Sequence, residues 1–161
     1  MSLISRTAQY ALRAMAVLSS QHDRMTVRQL AETVGAPQPY LARIVMLLAN
    51  EGLVNARRGP GGGLKLGRAS SEITLMNIVS CFDGPTLFEE CALGLPGCAN
   101  SAYKCPVHDQ WASIREQIQH WWHKTTLADF NSDEIAECMH DRVLSQPEAF
   151  AKIHRLRGRW H

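Results

Sequence analysis

The chain has 161 residues, 45% of them apolar and 20% charged, which is long enough for a buried core and excludes an intrinsically disordered chain. No apolar run approaches the roughly 18 residues that cross a bilayer, and Arg6, Gln9 and Arg13 interrupt the N-terminal apolar patch, so no membrane partner, no secretion signal and a cytoplasmic location are expected. The formal net charge of +2 is uneven: residues 1–70 carry nine Lys/Arg against three Asp/Glu, residues 71–109 one against five, and the rest seven against seven, so the first part points to an anionic partner such as nucleic acid.

Leu12, Met15, Ala16, Val17 and Leu18 recur at helical spacing and predict a first helix from about Thr7 to Ser20. Thr26 and Gln29 form a capping-box pattern for a short second helix carrying Val27, Leu30 and Ala31. It ends near Val34-Gly35, where glycine can take the left-handed conformation that turns the chain sharply. Pro37 and Pro39 suit the first turn of a third helix, and Leu41, Ile44, Val45 and Leu48 give its buried side until Asn50-Glu51-Gly52.

Two short helices across a tight glycine turn have helix-turn-helix spacing, although any three-helix core could share the apolar pattern. The second of them would enter the major groove by its N-terminal end, presenting Gln38, Pro39, Tyr40 and Arg43. The stretch LVNARRGPGGGLKLG then reads as a hairpin around Gly59–Gly63, anchored by Leu53, Leu64 and Leu66. A hairpin in that place is the wing of a winged helix. Arg57 and Arg58 would meet the DNA backbone or minor groove, and glycines such as Gly61 and Gly62 permit close approach. The glycine run leads into Leu64-Lys65-Leu66 and not into the Lys-Ser/Thr pair of a phosphate loop, so no nucleotide site is implied.

A fourth helix begins near Thr74, with Leu75, Ile78, Val79 and Phe82 as its apolar pattern and Cys81 among them. The segment CALGLPGCANSAYKCPVH follows. Cys91, Cys98 and Cys105 are separated by six residues each, and His108 comes three after the last. Five cysteines cannot all pair within one chain, so metal binding or redox chemistry is favoured over a disulfide framework. Thiolates suit iron–sulfur clusters, Cu(I) and zinc, but zinc knuckles need tighter C-x2-4-C pairs. The wide gaps fit a loop wrapped around a larger inorganic core. Idle thiols and a packing role for His108 are the plainer alternatives. From Cys105 to about Lys124, Val107, Trp111, Ile114, Ile118 and Trp121 are spaced four, three, four, three, a heptad seam that a helix packed in its own core would also show. The basic tail FAKIHRLRGRWH receives no role.

The pieces SRTAQYALRAM, LAETVGAPQPYLARIVMLLANEGLV and RRGPGGGLKLG, the triple cysteine before a long helix, and TTLADF resemble the bacterial winged-helix iron–sulfur regulators typified by IscR and NsrR. The resemblance spans nearly all of residues 1–130. It implies a mainly α fold with a small β wing, divided into a winged helix-turn-helix domain (1–70), a linking helix and cysteine loop (71–104) and a dimerisation helix (105–130). Residues 131–161 have no counterpart. It also implies a homodimer on a palindromic site in double-stranded promoter DNA, acting as a repressor, with an iron–sulfur cluster that answers to nitric oxide, iron–sulfur status or redox stress.

By the same resemblance Cys91, Cys98 and Cys105 are cluster ligands, although members more often have five residues in each gap. In some members a histidine in the place of His108 completes a [2Fe–2S] site. In others an N-terminal aspartate of the partner subunit caps a [4Fe–4S] cluster, and Gln9 stands there in this chain, so [2Fe–2S] with His108 is favoured. The family uses the long helix as its dimer interface, with Val107, Trp111, Ile114, Ile118 and Trp121 along the seam and the two tryptophans as buried anchors. Two further readings are a metal-free winged-helix regulator governed by a protein or small molecule, and a Cys/His enzyme. No third, orienting residue supports the enzyme, and none is expected.

Overall fold

In the computed structural model the described residues are 3–84, 89, 91–94 and 104–130, so Cys98 and the C-terminal segment from 131 lie outside them. Their elements in chain order are α1 (Arg6–Ser20), α2 (Val27–Val34), α3 (Gln38–Asn50), β1 (Val54–Arg57), β2 (Gly63–Leu66), α4 (Leu75–Asp83) and α5 (His108–Lys124), with 3-10 turns at Ser70–Glu72 and Leu127–Asp129. The arrangement is mainly α with one antiparallel hairpin. None of the described helices is long and apolar enough to cross a membrane.

Helix α1 is the hub, packing against α2, α3, α4 and β2. Its Ser5 cap accepts the Ala8 N–H at 3.1 Å, and Ala8, Ala11, Ala14 and Met15 are fully buried. Three of those four are alanines, whose small side chains let neighbouring helices approach closely.

Helix α2 opens with the expected capping box. The Gln29 N–H donates to Thr26 Oγ1 at 3.2 Å, and the Thr26 N–H donates to Gln29 Oε1 at 2.8 Å. It closes at Gly35, whose φ of +70° lets the Ala36 N–H reach the Ala31 carbonyl at 3.0 Å. Helix α3 follows at once. Its buried residues are Leu41, Ile44, Val45 and Leu48, as its spacing predicts.

The hairpin pairs Val54 with Leu66 and Arg57 with Gly63. Its tip is a Gly59–Gly62 turn closed by the Gly62 N–H on the Gly59 carbonyl at 2.9 Å. Pro60 holds the second position and Gly61, at φ +69°, the third, the residue pattern of a type II turn. The far edge of β2 is occupied as well. The Met25 N–H donates to the Leu64 carbonyl at 3.1 Å and the Leu64 N–H to the Met25 carbonyl at 2.7 Å, which fastens the wing to the α1–α2 connection.

Gly67 leaves the hairpin with its N–H on the Leu53 carbonyl at 2.8 Å, and a Cβ there would overlap the Gly52 carbonyl oxygen. Backbone cannot swing aside as a side chain can. Gly67→Ala is expected to destabilise the fold by about 1–3 kcal/mol in urea unfolding, as overpacking does. An unchanged midpoint would show that this crossing yields cheaply.

The end of α5 returns to the start of α4. The Leu75 N–H donates to the Thr125 carbonyl at 2.9 Å and the Leu127 N–H to the Ile73 carbonyl at 3.0 Å. The two helices therefore run antiparallel. At 1.5 Å per residue, 17 residues of α5 span about 26 Å and nine of α4 about 14 Å, so the N-terminal part of α5 extends past α4. Trp122, 7% exposed, docks among Ala8, Leu75, Met76 and Val79 as a second core cluster. The helix begins later than its spacing predicts. Cys105, Pro106 and Val107 form a turn, closed by the His108 N–H on the Cys105 carbonyl at 2.9 Å, and His108 is the first helical residue.

Candidate nucleic-acid interface and cysteine loop

Gln38, Pro39 and Arg43 stand exposed on the N-terminal half of α3. Tyr40 is placed differently. Its ring packs edge-on against Tyr10, with centroids 5.6 Å apart, and its hydroxyl lies 2.9 Å from Thr7 Oγ1. It braces the first turn of α3 on the first turn of α1, and so holds the neighbouring exposed side chains in place.

On the wing, Arg57, Arg58 and Gly61 are exposed and Gly62 is half-buried. A Cβ at Gly62 would overlap the Arg57 carbonyl oxygen and come within 2.7 Å of that of Gly59. Its first task is therefore to let the turn close. Arg57 and Arg58 share a groove with Thr26 and Val27 at the start of α2.

Arg24 is the functional-face residue that sequence reasoning missed. Its guanidinium donates to the Gly63 carbonyl at 2.9 Å, the Asn55 carbonyl at 3.2 Å and Asn55 Oδ1 at 3.0 Å. One side chain thus ties both wing strands to the α1–α2 connection. In the sequence it is one more arginine in a basic region, and no spacing sets it apart. Arg68 acts similarly at the base of the wing, donating to the Glu51 carbonyl at 2.8 Å and capping the end of α3.

In the cysteine segment, Cys91 and Cys105 are half-buried, and His108 is buried at the head of α5. Lys104 and Asp109 close the turn between them with a 3.0 Å ion pair, and this hydrogen bond holds the Asp109 carboxyl below its ordinary range. Arg115, seven residues after His108 and so on the same side of α5, donates to the Glu89 carbonyl at 3.0 Å. That bond ties the segment just before Cys91 to the helix that carries His108. Among the described residues no three His, Cys, Asp or Glu side chains are grouped closely enough to hold a metal, and Cys98, the middle cysteine, lies outside them.

Cys81 is a different kind of cysteine. Its Sγ lies 3.1 Å from the Asn77 carbonyl, and burial, then the negative charge of Glu51, push its pKa up. Its thiol is therefore harder to ionise than an ordinary cysteine's, and the thiolate is the form that binds metal. Gln9 points its amide toward the Ile4 carbonyl at 3.5 Å, and an amide offers no negative charge to a cluster.

The apolar stripe of α5 divides along its length. Val107, Ile114 and Trp121 are 39%, 50% and 53% exposed, and Trp111 and Ile118 are half-buried. Ile118 packs with Trp122 toward α4. The heptad pattern picks out Trp121 as an anchor, but within the chain the anchored tryptophan is Trp122, and the two rings meet edge-on at 5.1 Å.

The Rrf2 family profile, described as an iron-dependent transcriptional regulator, matches residues 4–133. The chain is 33% identical over 129 residues to an HTH-type transcriptional regulator of Aquifex aeolicus, covering 79% of this chain and 90% of that one. It is 31% identical over 141 residues to the HTH-type transcriptional regulator IscR of Serratia proteamaculans, covering 86% and 85%. Among solved structures it is similar to CymR, the global cysteine regulator of B. subtilis, with a TM-score of 0.68 and 28% identity over 80% of this chain and 95% of that one. It shares its fold with IscR of T. potens, at a TM-score of 0.63 and 23% identity over 78% and 83%. Sequence and fold agree over the same stretch, and those relatives regulate transcription and are not enzymes; the chain belongs to the Rrf2 family of winged-helix transcriptional regulators.

Proposed function

We propose that this DNA-binding regulator is a homodimeric repressor whose hold on a palindromic promoter site is set by an iron–sulfur cluster. The observation that carries the proposal is His108: a buried imidazole one turn after Cys105, at the head of the helix whose apolar stripe is left partly exposed. The donor chemistry fits. Cys91 and Cys105 are neither sealed in the core nor fully exposed, the Cys81 thiol is made harder to ionise by burial, and Gln9 lacks the carboxylate of a [4Fe–4S] cap. Cys91, Cys98, Cys105 and His108 would hold the group, with one nitrogen ligand favouring [2Fe–2S]. Such a cluster supplies a redox-active centre that reacts with oxidants and nitric oxide.

The chain's own residues link that site to the reading head. Cys105 and His108 set the start of α5, Arg115 ties the cysteine segment to it, and the Thr125–Leu127 return fastens its other end to α4. Helix α4 packs on α1, and α1 braces α3 through Thr7 and Tyr40. On α3, Gln38, Pro39 and Arg43 face the bases. The wing brings Arg57, Arg58, Gly61 and Gly62 to the backbone. Val107, Trp111, Ile114, Ile118 and Trp121 form the seam with the second subunit.

Purification without oxygen, with iron and sulfide analysis, is expected to give a coloured protein carrying both elements. His108→Ala is expected to change its spectrum or shorten its lifetime. Colourless, iron-free protein that binds promoter DNA with full affinity would overturn the cluster. The likeness to CymR, a cysteine regulator, then favours the second reading: a metal-free regulator governed by a small molecule or protein.

A further inference from the structure

The outward face of α3 carries one side chain that neither core nor solvent explains. At about 100° per residue, Pro39, Arg43, Met46 and Asn50 fall within about 60° of one another, opposite the buried Leu41, Ile44, Val45 and Leu48. All four are exposed, and Met46 is 57% exposed. A large apolar side chain therefore stands in water one turn after Arg43, in the basic part of the chain. Leu47, 42% exposed, lies about 100° from Met46 and about 40° beyond Arg43, between this stripe and the buried face.

The major groove offers one apolar feature, the C5-methyl of thymine, and arginine pairs best with guanine O6 and N7. Three residues of helix rise about 4.5 Å, against about 3.4 Å for one base step, so Met46 reaches a base pair next to the one below Arg43. Its unbranched, flexible thioether can settle against a methyl group without a fixed orientation.

We propose that Met46 is a specificity-determining residue that packs on a thymine methyl beside the guanine contacted by Arg43, so the preferred half-site places thymine next to guanine. The proposal deepens the assignment of α3 as the recognition helix and rests on it. It explains why an exposed apolar side chain stands one turn after a charged reader, since a groove-facing methionine loses its exposed surface only when DNA is bound.

The test begins with duplexes selected from a random pool by the full-length wild-type protein. Replacing the thymines beside the selected guanine with deoxyuridine removes only the methyl groups. Wild-type affinity is expected to fall about 4- to 15-fold, the scale of one or two buried methyl groups. Met46→Ala is expected to bind both duplexes equally and to select sites that keep the guanine but lose the thymine. The proposal is overturned if uracil leaves wild-type binding unchanged, or if it weakens wild type and Met46→Ala alike. Selection with Arg43→Ala separates the two levels. A guanine preference unchanged in that variant sinks the recognition-helix assignment itself. A lost guanine preference, beside a thymine preference that Met46→Ala leaves intact, sinks only the methyl contact.

Discussion

Trp122→Ala is expected to destabilise the chain by about 3–5 kcal/mol, the range for emptying a buried aromatic site. Trp122 is 7% exposed, between α4 and the first turn of α1. Its loss would open a cavity among Ala8, Leu75, Met76 and Val79 and free the end of α5 from α4. The adjacent substitution, Trp121→Ala, is expected to cost the chain no more than about 1 kcal/mol, chiefly the lost edge contact with Trp122. Its effect is expected on association: at 53% exposure in the single chain, Trp121 has surface left to bury in the proposed dimer. Urea unfolding at low concentration, paired with sedimentation velocity across a concentration series, separates the two. Trp122→Ala should lower the unfolding midpoint, and Trp121→Ala should raise the concentration at which dimers form. Equal losses of chain stability at both positions, with no change in association, would remove Trp121 from the seam.

The second large effect is on DNA. Replacing Arg57 and Arg58 together by alanine is expected to reduce affinity about tenfold or more on every duplex tested, and to lower the slope of log affinity against log salt by about two. Both side chains are exposed and the wing's closure depends on Gly61, Gly62 and Arg24, so the fold should survive. Arg43→Ala should behave differently, reducing discrimination between promoters more than overall affinity. Fluorescence anisotropy at four or five salt concentrations reads both quantities. If the wing variant lost affinity on only some sequences, with its salt slope intact, the arginines would be base readers and not phosphate anchors.

Much of the fold was legible because its causes are local. Thr26 and Gln29 stand three residues apart and cap α2 as their spacing requires, and Gly35 adopts the positive φ that closes it. The four buried residues of α3 follow from helical periodicity alone. The wing was readable from its glycines, because a proline and a glycine in the middle of a tight turn leave few alternatives. Family membership, too, was visible in these motifs before any coordinates. The cysteine spacing suggested a soft-ligand site, while the burial of His108 and the raised pKa of Cys81 came only from their surroundings.

What the tertiary structure alone decided concerns pairs far apart along the chain. Arg24 lies 31 residues from Asn55 and Thr7 lies 33 from Tyr40, and no local pattern links either pair. Charge made Arg24 a surface cation, where packing made it the clamp of the wing. Heptad spacing marked Trp121, but the adjacent Trp122 sits about 100° further round the helix and is the one that meets α4. Periodicity reports that a helix has an apolar side. Which part of that side faces its own chain, and which part is left for a partner, depends on where the Thr125–Leu127 return pins α5 against Ile73–Leu75, a contact between segments some fifty residues apart.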